Sequence, residues 1–525
     1  MEPSCVRQDL IPGTSTLFAD YLYQFSRVSS FFPYSSWQLE GVASVASSLQ
    51  FSAERRAKIV VALAAQNDNS AALNKLAQPN TVAVVTGQQV GFLLGPAYTI
   101  FKALTAARLA AHLNEQGIPA VPIFWLATED HDLAEVDHAW IFNQEASPAK
   151  IGLANSAVSG GPVGGVVLNE IPLAELRSAL GDLPFAEDVL REVAAAYQPG
   201  VTLGAGFRKL LEKTLKSLGL LFLDPLAPAI REAATPFLSE AVQRVPELLG
   251  ALRTRNAAIA KAGYHTQVHI DDDSSLFFVL KNGRRWPVRW KDGRFSTKDG
   301  SYSPLEMGAM GGRLSPNALL RPVMQDYLLP TASYVAGPAE IAYFAQGAAL
   351  YEKLLGRMPV IYPRNSFTLL DARASKLLTR YGLRVPDLLD HQENVKGLLA
   401  ARLVPPALHE QIKAAQTAAA GALSQLQASL LHFDPTLEAS ARKSTAKISY
   451  QFAKLERKIA RERLRRDEHA TKDAQYLLNL VYPQRHLQER FYSILPFLAK
   501  HGLDLPEQLL TQIQLSCPDH MLRAF

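Results

Sequence analysis

Cysteine is nearly absent from this chain: of 525 residues only Cys5 and Cys517 carry a thiol, at opposite ends of the sequence. That scarcity excludes a disulfide scaffold and a thiolate zinc site, both of which need several cysteines at characteristic spacing. No uninterrupted apolar run reaches the ~20 residues that a membrane-spanning helix needs. The first residues also lack a charged-then-apolar signal segment, so a cytoplasmic protein with no membrane partner is expected. Three further patterns are missing: Gly-x-Gly-x-x-Gly, the P-loop Gly-Lys-Ser/Thr, and His-Glu-x-x-His. Charge of one sign is not in large excess either, because the formal net charge of +5 is too small to argue for a nucleic-acid partner.

What remains is the composition of a large globular chain. With 48% hydrophobic residues and a mean hydropathy near zero, it can bury a sizeable core and hold two or three structural units. The most informative segment is Thr128-Glu129-Asp130-His131-Asp132, which closes the apolar run from Val121 to Ala127. Runs of that kind are strands buried on both faces, and open α/β sheets bind ligands beyond the carboxyl ends of their strands. Three carboxylates and an imidazole at such a point mark a candidate site.

A second apolar strand, Thr81 to Thr86, leads into Gly87-Gln88-Gln89-Val90-Gly91 and Gly95-Pro96. From Tyr98 onward apolar residues recur at helical spacing, with Pro96 near the first turn and Gly117 just past the end. The implied order is strand, glycine turn, helix, strand. A right-handed crossover would set strands 81–86 and 121–127 side by side, so that the Gly-Gln-Gln turn and the Glu-Asp-His-Asp run share one sheet edge. Further strands are expected at 220–223, 331–336 and 359–363, alternating with helices at 207–218 and 340–355; this alternation reads as a doubly wound α/β core.

Two stretches interrupt the alternation. The segment near 139–185 contains Gly160-Gly161-Pro162-Val163-Gly164-Gly165, and the segment near 263–312 carries Asn282-Gly283 and Asp292-Gly293, which read as hairpin turns. Both are expected to wall or cover a site. After residue 372 the pattern becomes helical. Ala419, Leu423, Leu426 and Leu430, then Ile448, Phe452, Leu455 and Ile459, trace two narrow apolar seams separated by a turn with Pro435, which describes an antiparallel helical hairpin. The stretch 442–466 is rich in Lys and Arg, but the ordinary reading of such a run is a solvated helix face. The expected division is a core over 1–372, a coiled-coil hairpin over 373–475, and a C-terminal helical tail over 476–525 that packs back on the core.

Taken together, Thr86-Gly-Gln-Gln-Val-Gly91, Gly95-Pro-Ala-Tyr-Thr99, Phe124 to Asp132, Ser315-Pro-Asn317 through Gln325, Ala336 to Tyr343, and Leu487-Gln-Glu-Arg490 through Phe497 resemble the bacillithiol biosynthesis cysteine-adding enzyme family, BshC. The resemblance runs almost end to end, with mild departures at Phe92 and Ala97. It implies a Rossmann-like core with two inserted connecting segments, and an α-helical antiparallel coiled coil that pairs two copies in a homodimer. It also implies a reaction, in which the carboxyl of L-cysteine acylates the glucosamine amine of glucosaminyl malate.

Such a reaction sets chemical requirements. A carboxylate does not acylate an amine at neutral pH without activation, so ATP is the expected donor, through a cysteinyl adenylate or an acyl phosphate. Magnesium would enter with the nucleotide, which needs only one or two protein carboxylates. His131, Glu135 and His138 also stand at spacings that suit a divalent ion, yet no protein-held metal is expected without the paired-histidine arrangement.

Candidates follow from these needs. Glu129, Asp130 and His131 are the catalytic candidates, a carboxylate to orient the ammonium and His131 to take its proton. Asp132, followed by Glu135, fits a capping box and is read as a helix cap. Lys102, Arg321 and Arg364 are nominated for carboxylate and phosphate groups, Arg364 most strongly because it follows a strand directly. Gly87, Gln88, Gln89 and Gly91, with the helix start behind them, form the preferred binding element. Tyr98, Asn317, Gln325, Tyr343 and Asn365 offer further polar contacts, or bridge backbone groups inside the core. Two rival functions stay open: another adenylate-forming or nucleotidyl-transferring enzyme on the same core, and a non-enzymatic protein whose coiled coil binds a partner.

Overall fold

The structure is a computed structural model that describes residues 4–35, 39–153, 160–389, 392–434 and 436–525. Pro435 and residues 154–159 of the glycine-rich stretch lie outside the described residues. Residues 1–368 with 489–523 form one compact unit, and residues 369–488 with 524–525 form a second.

The first unit is built on five parallel strands in the spatial order Val360–Pro363, Thr331–Ala336, Val82–Gln89, Ala120–Ala127, Leu221–Leu223. Chain order therefore runs outward in one direction from Val82–Gln89, then jumps to its other side. The reversal falls between Val82–Gln89 and Thr331–Ala336, and a crevice at such a point is where open α/β sheets take ligands. The helix Tyr98–Glu115 packs on three of the strands with apolar side chains on nearly every face, as a helix sunk into a core must. It stops at Gln116, and Gly117 takes the left-handed conformation (φ +78°) just beyond it.

One expectation is corrected here. Gly87, Gln88 and Gln89 are not a turn; they continue the strand, paired in register with Trp125, Leu126 and Ala127. The reason is steric. A Cβ at Gly87 would stand 2.8 Å from the Trp125 carbonyl oxygen and 2.9 Å from its Cβ, so glycine is what permits the pairing to continue. The chain turns only after Gln89.

Both interruptions of the alternation are β-structures. His138–Phe142 pairs with Pro148–Gly152. Ser274–Lys281, Arg284–Lys291, Arg294–Thr297 and Gly300–Tyr302 form a meander, completed by Leu314–Pro316. Asn282-Gly283 and Asp292-Gly293 have positive φ throughout, as the tightest hairpin turns require.

In the second unit the long helices Pro406–Phe433 and Leu437–Arg466 pack against each other as the arms of a hairpin. The arms do not fully cover their seams: Leu426 and Leu455 remain 53% and 50% exposed, and Ile448 is exposed beside them. Several cations of the basic stretch are neutralised on their own helix, Arg442 by Glu438, and Arg465 and Arg466 by Glu462. Among the described residues no helix is long and apolar enough to cross a membrane.

Candidate active site

The two strands that flank the reversal deliver their last residues to a common cavity of about 350 Å³. From Val82–Gln89 come the side chains of Gln88 and Gln89. Gln88 Nε2 donates to the Tyr98 hydroxyl at 3.1 Å, and Gln89 Nε2 donates to Asp130 Oδ2 at 2.5 Å and to Glu135 Oε2 at 3.0 Å. From the other side come Gly337, Pro338 and Ala339, at the start of the helix Pro338–Leu354, whose positive dipole end favours anions although Pro338 has no N–H and that of Gly337 donates to Glu340.

Behind these walls the helices following the two strands are joined by charge. Lys102 Nζ, 1% exposed, donates to Glu340 Oε2 at 2.7 Å, to Gln88 Oε1 at 3.3 Å and to the Gly87 carbonyl oxygen. Its three protons thus have three acceptors. Glu340 in turn accepts from the Gly337 N–H, from Tyr334 and from Tyr343. Burial pushes Lys102 below the ordinary lysine value against the pull of Glu340. Burial also tends to raise Glu340, but Lys102 and the Gly337 N–H outweigh it and hold the carboxylate ionised.

The Glu-Asp-His-Asp run divides by role. Glu129 is buried with both oxygens committed, one to Arg231 and the other to Ser315 Oγ at 3.0 Å. Asp130 faces the cavity. Although burial opposes it, hydrogen bonds from His131 and Gln89 hold its carboxyl well below the usual range. His131 does not line the cavity; its side chain is 42% exposed, with Nδ1 3.1 Å from Arg285 Nη1. Nδ1 also lies 3.5 Å from Asp130 Oδ1, so Asp130 and Arg285 share this edge of the ring. Asp132 stands at the N-cap of the four-residue helix Leu133–Val136, but its side chain makes no capping bond, and Glu135 serves Gln89 instead of a capping box.

The glycine-rich stretch buttresses this run from behind. Gly164 N–H donates to the Thr128 carbonyl and Val163 N–H to that of Asp130; a Cβ at Gly164 would collide with Thr128. The second insertion reaches the cavity itself through Arg285, which is fixed by Ser315 Oγ at 3.0 Å and the Pro316 carbonyl at 2.8 Å, and which lies over the Phe278 ring.

Arg364 enters from the end of Val360–Pro363. Its fork is held by Glu489 through bonds of 2.9 and 2.6 Å, and its guanidinium lies 5.3 Å from the Tyr98 ring centre. Glu489 also accepts from Ser366 Oγ and the Phe367 N–H, so that Arg364, despite burial of the pair, keeps it ionised. Ser366 spends its only proton on Glu489 and must accept from His520 Nδ1, whose Nε2 then accepts from Thr368. Burial lowers His520 to about 4, so this imidazole is neutral at pH 7.

Of the residues nominated from sequence, the cavity gathers Gly87, Gln88, Gln89, Tyr98, Lys102, Glu129, Asp130, Asn317, Arg321, Tyr343 and Arg364. It does not gather His131, Gly91, Gln325 or Asn365. Gln325 braces Arg321 and Asp326, while the Asn365 side chain ties the backbone of Gln514 and its N–H donates to Thr105 Oγ1, so both serve packing. Arg285, Arg490, Glu340 and Trp125 line the cavity without having been nominated. Glu340 and Arg490 stood within quoted motifs, but nothing in their spacing marked them; Arg285 sits in an insertion hairpin where sequence offers no signal. Five cationic side chains, Lys102, Arg285, Arg321, Arg364 and Arg490, thus face three carboxylates, Glu129, Asp130 and Glu340. The Trp125 Nε1 is buried at the wall with no hydrogen-bond partner. Among the described residues no three His, Cys, Asp or Glu gather at metal-ligating range.

Comparison with known proteins places this architecture. Residues 1–365 match the model of the N-terminal Rossmann-like domain of bacillithiol biosynthesis BshC, and residues 367–523 match the model of its C-terminal coiled-coil domain. A protein of Solibacter usitatus named "Putative cysteine ligase BshC" is 48% identical, with 99% of each chain covered. Proteins of the same name from Koribacter versatilis and Salinibacter ruber are 35% and 30% identical, over 99% of both chains and over 96% and 95% respectively.

Proposed function

The chain belongs to the bacillithiol biosynthesis BshC family, and on that premise we propose that it is a cysteine ligase that joins the carboxyl of L-cysteine to the glucosamine amine of glucosaminyl malate, with ATP activating the carboxyl. The observation that carries this reading is the imbalance of charge in the cavity, five cations against three carboxylates, at the sheet's reversal point. A substrate with two malate carboxylates and one ammonium has the complementary charges.

The division of labour follows from which groups are spent. Arg364 is clamped by Glu489 and cannot swing away, so it is a fixed positive wall for a carboxylate, with Arg490 and Arg321 beside it. Asp130, ionised and facing the cavity, holds the ammonium of the acceptor. Phosphate oxygens of the nucleotide fit the start of Pro338–Leu354 and Arg285, and magnesium would enter bound to those oxygens. Attack by cysteine's carboxylate on a phosphorus of ATP forms a mixed anhydride and expels pyrophosphate from the α position or ADP from the γ position; attack by the free amine on the acyl carbon then forms the amide and expels AMP or phosphate respectively. Backbone N–H groups and guanidinium donors near the acyl oxygen would stabilise the tetrahedral oxyanion.

The helical hairpin pairs two copies of the chain. Support comes from the apolar side chains that its two arms leave uncovered, among them Leu426, Ile448 and Leu455. Leu426→Glu together with Leu455→Glu should convert a dimer to a monomer in light scattering, and an unchanged mass would remove the hairpin from the interface. The chemical reading is tested by incubating the enzyme with glucosaminyl malate, L-cysteine and ATP and weighing the products. A product heavier than the acceptor by one cysteinyl group supports it; nucleotide turnover without that product would assign the chain to another carboxyl-activating reaction.

A further inference from the structure

The only two thiols of the chain, remote in sequence, meet in space. Ser4, Cys5 and Val6 pair antiparallel with Leu522, Met521 and His520, which brings the N-terminal strand beside the segment that carries Cys517. The Cys5 and Cys517 thiols lie close enough to interact electrostatically, and both are free, Cys5 exposed and Cys517 half-buried. A buried cation attends them. Arg523 interacts with both thiols; its Nη2 reaches Met521 Sδ at 3.1 Å, while its buried Nε has no hydrogen-bond partner. An unspent N–H on a fixed guanidinium stabilises a thiolate formed next to it. Burial and Cys517 itself push the Cys5 thiol up, and Arg523 pulls the other way.

We propose that Cys5 and Cys517 form a reversible thiol–disulfide site whose oxidant is a low-molecular-weight disulfide. Exchange begins when the Cys5 thiolate attacks one sulfur of the disulfide RSSR, making a protein–SR mixed disulfide and releasing RS⁻, which takes up the proton lost by Cys5. The Cys517 thiolate then attacks the Cys5 sulfur, closes the Cys5–Cys517 bond and expels the second RSH. Two protein thiols are oxidised, one RSSR is reduced to two RSH, and no further reactant is needed. Exposure of Cys5 provides access for the small disulfide, and the nearness of Cys517 makes the resolving step intramolecular. Cysteine pairs in reducing compartments act through reversible chemistry of this kind more than as permanent cross-links.

The test uses the full-length protein and oxidised cysteine (cystine) or oxidised glutathione as probe. After exposure and blocking of free thiols, tryptic digestion without reductant should join the peptide of residues 1–7 to that of residues 501–523, with a mass two hydrogens below their sum, and dithiothreitol should separate them. Thiol titration of the intact protein should fall from two groups to none, and monomer mobility under denaturing, non-reducing conditions should be retained. In Cys517→Ser the mixed disulfide on Cys5 should accumulate unresolved. Two full thiols after exposure, a lasting small-molecule adduct on Cys5 of the unaltered protein, or a cross-link between copies in place of the joined peptides would each overturn the proposal.

Discussion

Lys102 and Glu340 meet at 2.7 Å inside the protein, each carried by the helix that follows one of the two strands flanking the point where strand order reverses. The pair ties the two halves of the sheet's crevice together directly behind the cavity. Because Lys102 is almost wholly buried, loss of its charge would strand a carboxylate that now has a counter-ion. Lys102→Met should therefore lower the unfolding free energy by about 3 to 5 kcal/mol. The double variant Lys102→Met with Glu340→Gln should recover part of that loss, because no buried charge is left alone. Urea unfolding of the unaltered protein, Lys102→Met, Glu340→Gln and the double variant measures it; simple additivity of the two single losses would show that the two charges are not coupled.

Arg364 owes its fixed position to Glu489. Arg364→Ala should raise KM for glucosaminyl malate severalfold to tenfold with a smaller effect on kcat, since it removes binding felt equally before and during reaction. Glu489→Gln, which never touches substrate, should shift KM in the same direction by releasing the fork. If Glu489→Gln altered stability and left KM untouched, the clamp would be structural only.

Asp130 and His131, adjacent in sequence, are separated in role by the cavity wall. Asp130→Asn should reduce kcat/KM at least tenfold, the loss of about one charge-assisted hydrogen bond. His131→Ala should retain most turnover, because Arg285 and Asp130 already share its Nδ1 edge and the ring stands outside the cavity lining. A turnover collapse in His131→Ala with normal folding would restore the imidazole as the base.

His520 makes stability depend on pH. Its folded value of about 4 lies below the ordinary 6.5, so between those limits the unfolded chain binds more protons than the folded one. The stabilisation is fully present above about pH 6.5 and is lost as pH falls toward 4, amounting to about 3 kcal/mol from this group alone. His520→Asn should flatten the fall in urea midpoint over that window. An unchanged slope would show that His520 is not the group responsible.

Much of the site was legible because it sits where apolar strands end. Thr128 to Asp132 and Gly87 to Gln89 are contiguous with buried runs, and the register pairing of Gly87 with Trp125 joins them. What sequence did not disclose was strand order. Periodicity identifies Thr331–Ala336 as a strand but not that it lies against Val82–Gln89, and so it did not reveal Glu340 as the partner of Lys102. The Gly-Gln-Gln segment reads as a turn because glycine after a strand usually breaks it, whereas in the fold the missing side chain makes room for Trp125. Arg285 was invisible for another reason: a hairpin exposed in sequence pattern gives no hint that one of its arginines folds back over Phe278 into the cavity.

Whether ATP activates cysteine's carboxyl for capture by the sugar amine can be read with L-cysteine labelled with oxygen-18 in its carboxyl group. In a reaction with ATP and glucosaminyl malate, one labelled oxygen is expected in AMP, or in inorganic phosphate, for every amide formed. Amide formation with no label in either product, or label transfer with no amide, would contradict that route.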